Sequence, residues 1–316
     1  MKTVTLNDGN TMPVFGLGTW KSPKGEVSKA VAEALKVGYT HVDAAWIYQN
    51  EQEVGEGISE AMKAGVIARE SLFVTSKLWN SFHQPEAVEK GCQESLNALG
   101  LDYLDLYLMH WPIAFKPEKS QHNQPEDFYS LGELPLSKTF EAMVQLREKG
   151  LVKSVGVSNF SRSKIEKVIA ETGVVPAVNQ VEMHPYNPQN ELLDYCREKG
   201  IQVTAYSPLG SGDRPASMKA KDEPPLLENE DVIAIARKEN LSPAQLLIAW
   251  AIDRGTIAIP KSTNAERIAE NLAAAEHSLS AEARTALDNI SIRYRYVSVS
   301  SWYFPGVTYE GEDFWS

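Results

Sequence analysis

The chain has 316 residues, 43% of them hydrophobic and 23% charged, with 31 basic against 42 acidic side chains and a net charge of −11. That balance belongs to a globular protein with a sizeable core, and the length suits one α/β barrel of about 250 residues carrying insertions. The acidic surplus argues against nucleic acid or an anionic membrane as partner, while leaving room for a small anion in a local basic pocket.

The opening residues, Met1-Lys-Thr-Val-Thr5, hold no apolar stretch of the kind found in an export signal. No run approaches the ~18 apolar residues of a membrane helix, so a cytoplasmic location with no membrane partner is expected. Residues 2–14 alternate and turn at Asn7-Asp8-Gly9-Asn10, a hairpin placed as a cap before the main fold. Short apolar segments then recur at 15–19, 40–43, 72–77, 104–110, 152–157, 177–182, 202–206 and 256–260. Between and after them lie helical patterns at 24–37, 51–64, 85–99, 136–149, 162–171, 189–199, 229–240, 243–253 and 264–275. Several of these end at a glycine (Gly38, Gly100, Gly150, Gly173, Gly200, Gly255), which suits a left-handed C-terminal cap.

Eight strands alternate with helices, and no linker rich in Pro, Gly or Ser divides them. The expected fold class is α/β, a (β/α)8 TIM barrel with an N-terminal β-hairpin cap and long loops at its C-terminal face. Residues 1–316 are expected to form one domain, with 1–14 as the cap and 292–316 as a C-terminal substrate loop. A doubly wound open sheet is the structural alternative. Against it, Gly16-Leu17-Gly18-Thr19 lacks the third glycine of a dinucleotide-binding turn. Three segments break the rhythm: 111–135 with four prolines, 207–228 rich in Gly, Pro and charge, and the aromatic tail from 292. Long loops with aromatic residues read as lids.

In a barrel, the C-terminal strand ends converge on one face. Strand two delivers Asp43, with Tyr48 in the loop beyond; strand three delivers Lys77, and strand four His110. Singly, each has a plainer reading, as a turn cap, a rim aromatic, a surface lysine or a core histidine. On three neighbouring strand ends they form a set that chance does not explain. A phenol, with a reference pKa of about 10, is a poor acid at neutral pH unless a neighbour stabilises its phenolate. The two cysteines, Cys92 and Cys196, and the six scattered histidines show no metal-ligand spacing, so no metal site is expected.

Three ordered motifs carry a resemblance. Gly38-Tyr-Thr-His-Val-Asp-Ala-Ala45, Lys153-Ser-Val-Gly-Val-Ser-Asn-Phe160 and Ile259-Pro-Lys-Ser-Thr-Asn-Ala-Glu-Arg-Ile-Ala-Glu-Asn271 are similar to the signatures of the aldo-keto reductases. The likeness runs from the hairpin to about Asn271. Thr40 stands where the family often has arginine, and Trp46 sits beside the catalytic loop, where it would reshape the outer edge.

The resemblance implies reduction of aldehydes or ketones (small aldehydes, aldoses or similar carbonyls) by hydride transfer from NADPH, reversible as alcohol or polyol oxidation. It implies Tyr48 as general acid, Lys77 held by Asp43 as the charge that lowers the phenol's pKa, and His110 orienting the carbonyl. For NADP(H) it implies Ser158, Asn159 and Gln180 at the nicotinamide carboxamide, with Tyr206 stacked on the ring. Ser207, Leu209 and Ser211 would lie over the pyrophosphate, Lys261, Ser262 and Arg267 around the 2′-phosphate, and Glu270 and Asn271 at adenine. Trp20, Ile47, Trp79, Trp111 and Trp302 would join His110 in lining the substrate pocket, and a monomer is the expected state. The alternatives are a non-catalytic NADP-binding regulatory barrel of the channel β-subunit kind, and a ketosteroid or hydroxyacid reductase.

Overall fold

The structure, a computed structural model, describes residues 1–119, 121–309 and 314–315. Strands β1 (Thr3–Thr5) and β2 (Thr11–Pro13) pair antiparallel as the expected hairpin. The main sheet is parallel, built from β3 (Leu17–Gly18), β4 (His41–Asp43), β5 (Phe73–Leu78) and β6 (Leu104–Met109), then β9 (Val152–Ser158), β10 (Val178–Glu182), β11 (Gln202–Tyr206) and β12 (Ile257–Ala258). These eight strands follow one another in sequence order around the sheet. The last closes on the first: Gly16 N donates to Ala258 O at 3.0 Å, Ala258 N to Val14 O at 3.1 Å, and Gly18 N to Pro260 O at 3.1 Å. The sheet is therefore a barrel, as expected.

Helices α1 (Val27–Val37), α2 (Glu51–Lys63), α3 (Pro85–Leu99), α4 (Leu136–Glu148), α5 (Arg162–Thr172), α6 (Asn190–Glu198), α7 (Glu230–Lys238), α8 (Pro243–Asp253) and α9 (Ala265–Ala274) surround it. In α1 the apolar positions Val27, Ala30, Val31, Ala34 and Leu35 fall on one buried face, and Gly38 ends the helix at φ 112°. Helix α8 instead buries six consecutive residues, Leu246 to Ala251, and is set by a capping box between Ser242 and Gln245.

Strand periodicity decides what enters the barrel. Side chains alternate across a strand. Val42, Val74, Leu78, Tyr107 and Met109 pack outward against the helices, whereas Phe73, Leu106 and Leu108 join Leu6 and Met12 of the hairpin in a separate core. The same inward parity carries His41 and Asp43 on β4, Thr75 and Lys77 on β5, and His110 just beyond β6. Apolar side chains fill the lower layers, and polar ones occupy the mouth.

Two departures from the predicted elements have local causes. Helix α10 (Ala281–Asp288) lay outside the sequence prediction; it buries only Ala283 and Leu287, too thin a stripe to register as periodicity. Within 111–135 a two-residue pairing forms between β7 (Ala114–Phe115) and β8 (Phe128–Tyr129), where the prolines had suggested irregular chain. A third core of Trp111, Ile113, Phe115, Phe128, Val297, Val299, Tyr309 and Phe314 joins that loop to the tail. Of the tail 292–316, residues 310–313 and 316 lie outside the described residues.

Barrel closure requires glycine at one point. A Cβ on Gly18 would lie 2.6 Å from the carbonyl oxygen of Ile259, a backbone atom that cannot swing aside. Gly18→Ala is therefore expected to destabilise the fold by about 1–3 kcal/mol, read as a lowered midpoint in urea unfolding; an unchanged midpoint would show that the seam is slack.

Candidate active site

Asp43 ends β4, and Lys77 reaches it from the neighbouring strand with Nζ 2.5 Å from Oδ1. Both side chains are buried, at 3% and 1% exposure. The ammonium also donates to Ala44 O at 2.9 Å and lies 3.3 Å from the Tyr48 hydroxyl. Tyr48 rides on a single 3-10 turn, Trp46–Tyr48, that Gln49 closes in the left-handed region at φ 55°. The Trp46 indole N–H donates to Glu94 on α3 at 2.9 Å, and its ring stands edge-on to Phe82. Trp46 thus anchors the turn from outside and does not line the cavity, because Glu94 of α3 offers an acceptor and Phe82, on the turn before α3, a ring to pack on.

His110 faces Tyr48 across 5.9 Å between ring centroids and is flanked by Trp79 and Trp111. Its Nδ1 is buried without a partner among the described residues. A proton is therefore better placed on Nε2, which leaves the cavity-facing nitrogen a donor. Burial, reinforced by the Lys77 charge, holds His110 well below the usual histidine range, so the ring is neutral. Contrary to the lowered phenol pKa expected from the sequence, burial pushes Tyr48 well above the usual phenol range, and Asp43 and Glu51 add to it. For Lys77 burial is the larger influence and lowers its pKa, while the charge and hydrogen bond of Asp43, with the charge of Glu51, oppose that shift.

A hydrogen-bond chain extends the cluster sideways across three strands. Gln180 Nε2 donates to the second oxygen of Asp43 at 2.8 Å, and Ser158 Oγ donates to Gln180 O at 2.8 Å. Asn159 donates to Ser158 Oγ and to His110 O, while its own oxygen accepts from the Tyr206 hydroxyl at 2.8 Å. Asn159, Ser207 and Ser211 all hold left-handed backbone, at φ 64°, 48° and 52°. Strain of this kind is retained where surrounding structure over-determines it, and clusters at functional sites.

One cavity of 1210 Å³ brings together the expected residues. Asp43, Tyr48 and His110 lie at one end with Trp20, Ile47, Trp79, Trp111 and Trp302. Ser158, Asn159, Gln180, Tyr206, Ser207, Leu209 and Ser211 form its middle, and Lys261, Ser262, Arg267, Glu270 and Asn271 its far end. Lys77 alone of the expected set does not line it, being sealed behind Asp43 and Tyr48. Two residues that sequence reasoning missed bridge the far end. Asp213 pairs with Lys21 at 2.5 Å and with Lys261 at 2.6 Å, and these cations hold its carboxyl down at about 2 even though burial pushes it up. No local pattern marks them, since Lys21 and Asp213 stand 192 residues apart.

The aldo/keto reductase family model matches residues 13–292. The chain belongs to that family. It is 44% identical to an aldo/keto reductase of Synechocystis over 315 residues, covering 100% of this chain and 96% of that one. It is 45% identical to aldo-keto reductase family 1 member A1 of Rattus norvegicus, covering 98% and 94%. Among solved structures, the Bombyx mori aldo-keto reductase in complex with NADP matches with a TM-score of 0.85 at 40% identity, covering 95% of this chain and 96% of that one. The aldose reductase of Schistosoma japonicum gives 0.86 at 37%, covering 96% of each. Family and fold thus agree with the barrel expected from the sequence.

The Asp43–Lys77 pair yields a prediction about the scaffold itself. Breaking a buried pair leaves an uncompensated charge, so Asp43→Asn is expected to cost about 3–5 kcal/mol in urea unfolding. Adding Lys77→Met to that variant is expected to recover part of the loss; strictly additive costs would mean the two groups are not coupled.

Proposed function

We propose that this chain reduces aldehydes and ketones to alcohols with NADPH as reductant and Tyr48 as proton donor, and that it catalyses the reverse oxidation. The observation that carries the reading is the Lys77 ammonium 3.3 Å from the Tyr48 hydroxyl, with neutral His110 facing the same space. The raised pKa of Tyr48 keeps its proton in place until a carbonyl oxygen gains negative charge. An alkoxide is a far stronger base than a phenolate, so the proton then moves from Tyr48 to that oxygen. Lys77 stabilises the phenolate left behind, and Asp43 holds Lys77 charged for that purpose. His110, with Nε2 as donor, orients the carbonyl oxygen and stabilises its developing charge.

The fit of the dinucleotide rests on the cavity. Its 1210 Å³ exceeds the ~300–1,000 Å³ of an ordinary small-molecule site, which leaves room for a second ligand beside a carbonyl compound. Ser158, Asn159 and Gln180 would hold the carboxamide and Tyr206 the ring; Ser207, Leu209 and Ser211 would cover the pyrophosphate; Glu270 and Asn271 would meet adenine. When bound, NADPH supplies the hydride that reduces the carbonyl carbon. Lys261 is engaged by Asp213, whereas Arg267 has no carboxylate partner among the described residues and lies in the first turn of α9. Ser262, Lys261 and Arg267 together favour a phosphate-bearing cofactor, with Arg267 as the cation free to meet it.

Trp20, Ile47, Trp79, Trp111 and Trp302 give the other end an apolar wall, suited to a hydrophobic or amphipathic carbonyl compound. The reading includes a single barrel domain over residues 1–316, a cytoplasmic monomer, and no nucleic-acid or membrane partner. Among the described residues no helix is long and apolar enough to cross a membrane, and no group of three metal-ligating side chains converges.

Steady-state loss of NADPH absorbance with a panel of aldehydes tests the activity; tight NADPH binding with no turnover would point instead to a non-catalytic barrel. Tyr48→Phe is expected to lower kcat by about 100-fold or more with NADPH affinity intact, and comparable activity would sink the acid assignment. Arg267→Ala is expected to weaken NADPH by on the order of tenfold or more and to leave NADH unchanged. Equal weakening of the two cofactors in a fluorescence titration would remove the 2′-phosphate reading.

A further inference from the structure

The loop over the far end of the cavity and the tail that walls its carbonyl end meet chiefly at Tyr296, outside the catalytic cluster, with the Tyr294 hydroxyl also 3.5 Å from Glu223 of that loop. Tyr296 receives contacts from the barrel, from the loop and from the tail. Its backbone N–H donates to Glu182 Oε1 at 2.7 Å, and the next amide, of Val297, donates to Glu182 Oε2 at 2.7 Å. Glu182 is the last residue of β10 and fully buried; its carboxylate also meets the His184 ring at 2.8 Å, and no lysine or arginine pairs with it among the described residues. A carboxylate in that position depends on the two tail amides, because losing them leaves a buried charge with little compensation. The tail is thereby committed to one path at 296–297.

On the opposite side, the Tyr296 carbonyl accepts from Arg214, whose guanidinium also lies over the Tyr296 ring at 5.2 Å. Arg214 has no exposed side-chain surface, pairs with Glu223 at 2.5 Å, and donates to Met218 O at 3.2 Å. The Tyr296 hydroxyl donates to Pro224 O at 2.5 Å, within the same loop. Arg214 directly follows Asp213, which bridges Lys21 and Lys261 over the cavity. Asp213 cannot move far without dragging Arg214 off Tyr296. Beyond Tyr296 the chain runs straight into Val297, Val299 and Trp302, which line the carbonyl end.

We infer that Tyr296 is the post through which the loop over the cofactor end sets the wall of the carbonyl end, with Glu182 and Arg214 as the positioning residues that hold it. This rests on the carbonyl-reductase reading for its substrates but not for its mechanics. A compound large enough to touch Val297 to Trp302 feels how the loop holds Tyr296; a small one beside His110 does not.

The test uses the full chain at saturating NADPH with two aldehydes, propanal and 2-naphthaldehyde. Glu182→Gln and Arg214→Lys are each expected to raise KM for 2-naphthaldehyde about tenfold while KM and kcat for propanal stay within about twofold. A general loss of folded enzyme would lower kcat for both and split neither KM. If those variants fail to fold, Tyr296→Phe, which keeps the backbone contacts and loses the link to Pro224, is expected to raise KM for 2-naphthaldehyde alone. Equal changes for the two aldehydes, or none, would overturn the inference. Hydrogen–deuterium exchange provides a readout independent of turnover: NADPH is expected to protect 297–302 in the wild type and to protect it less in the Arg214→Lys or Tyr296→Phe variant. Unchanged protection there would also overturn it. A wild type that turns over neither aldehyde would refute the carbonyl-reductase reading, and the exchange experiment would still decide the coupling.

Discussion

The buried pair of Lys77 and Asp43 is the constraint around which this molecule is arranged. Removing an ammonium and a carboxylate from water costs several kcal/mol for each ion, and attraction between them offsets that only when the remaining hydrogen bonds are also made. Here they are made. Asp43 uses one oxygen for Lys77 and the other for Gln180, and Lys77 completes its set with Ala44 O and the Tyr48 hydroxyl. A hydrophobic pair in the same place would serve stability as well or better. The pair also fixes where the phenol sits, since the same ammonium lies 3.3 Å from the Tyr48 hydroxyl.

Barrel geometry makes this arrangement feasible. Parallel strands in register place Asp43 beside Thr75, and Lys77 beside Leu108, so inward side chains of successive strands lie within reach of one another. Apolar residues in the lower layers exclude water from below, and the aromatic loops restrict it from above. The rigid part of the molecule therefore holds the charges, while Trp111, residues of the 207–228 loop and the tail from Tyr296 to Trp302 line the cavity above them. Left-handed backbone at Asn159 and Ser207 sits where strand hands over to loop, which is where a rigid frame can hold strained conformations.

Much of the fold was legible because its signals are local. Helices such as 85–99 and 243–253 begin at proline and bury one or more faces, so their bounds could be read without any partner. Helix α10 was not legible, since two buried residues make no stripe. Trp46 was legible as unusual but not as an anchor: whether an indole turns toward a cavity or toward α3 depends on Glu94 and Phe82, some 40 residues away in sequence, and on nothing nearby. Asp213 was hidden for the same reason, its meaning lying in Lys21 and Lys261. Glu182 carried the inward parity of β10, yet nothing in its surroundings indicated that tail amides would meet it.

The sequence by itself determined the alternation of strands and helices, the family, and the parity that sends Asp43, Lys77 and His110 inward, because a two-residue period and a capped helix are properties of short stretches of chain. Tertiary structure alone decided the electrostatics: that Lys77 is sealed from the cavity, that His110 is neutral with a donor toward it, and that Tyr48 holds its proton. Those follow from which distant groups exclude water and which charges lie within a few ångströms, and burial is a property of the closed barrel, not of any segment in it. The stretch from His41 to Glu51 therefore named the phenol and its carboxylate, but only the folded mouth of the barrel brings Lys77 between them.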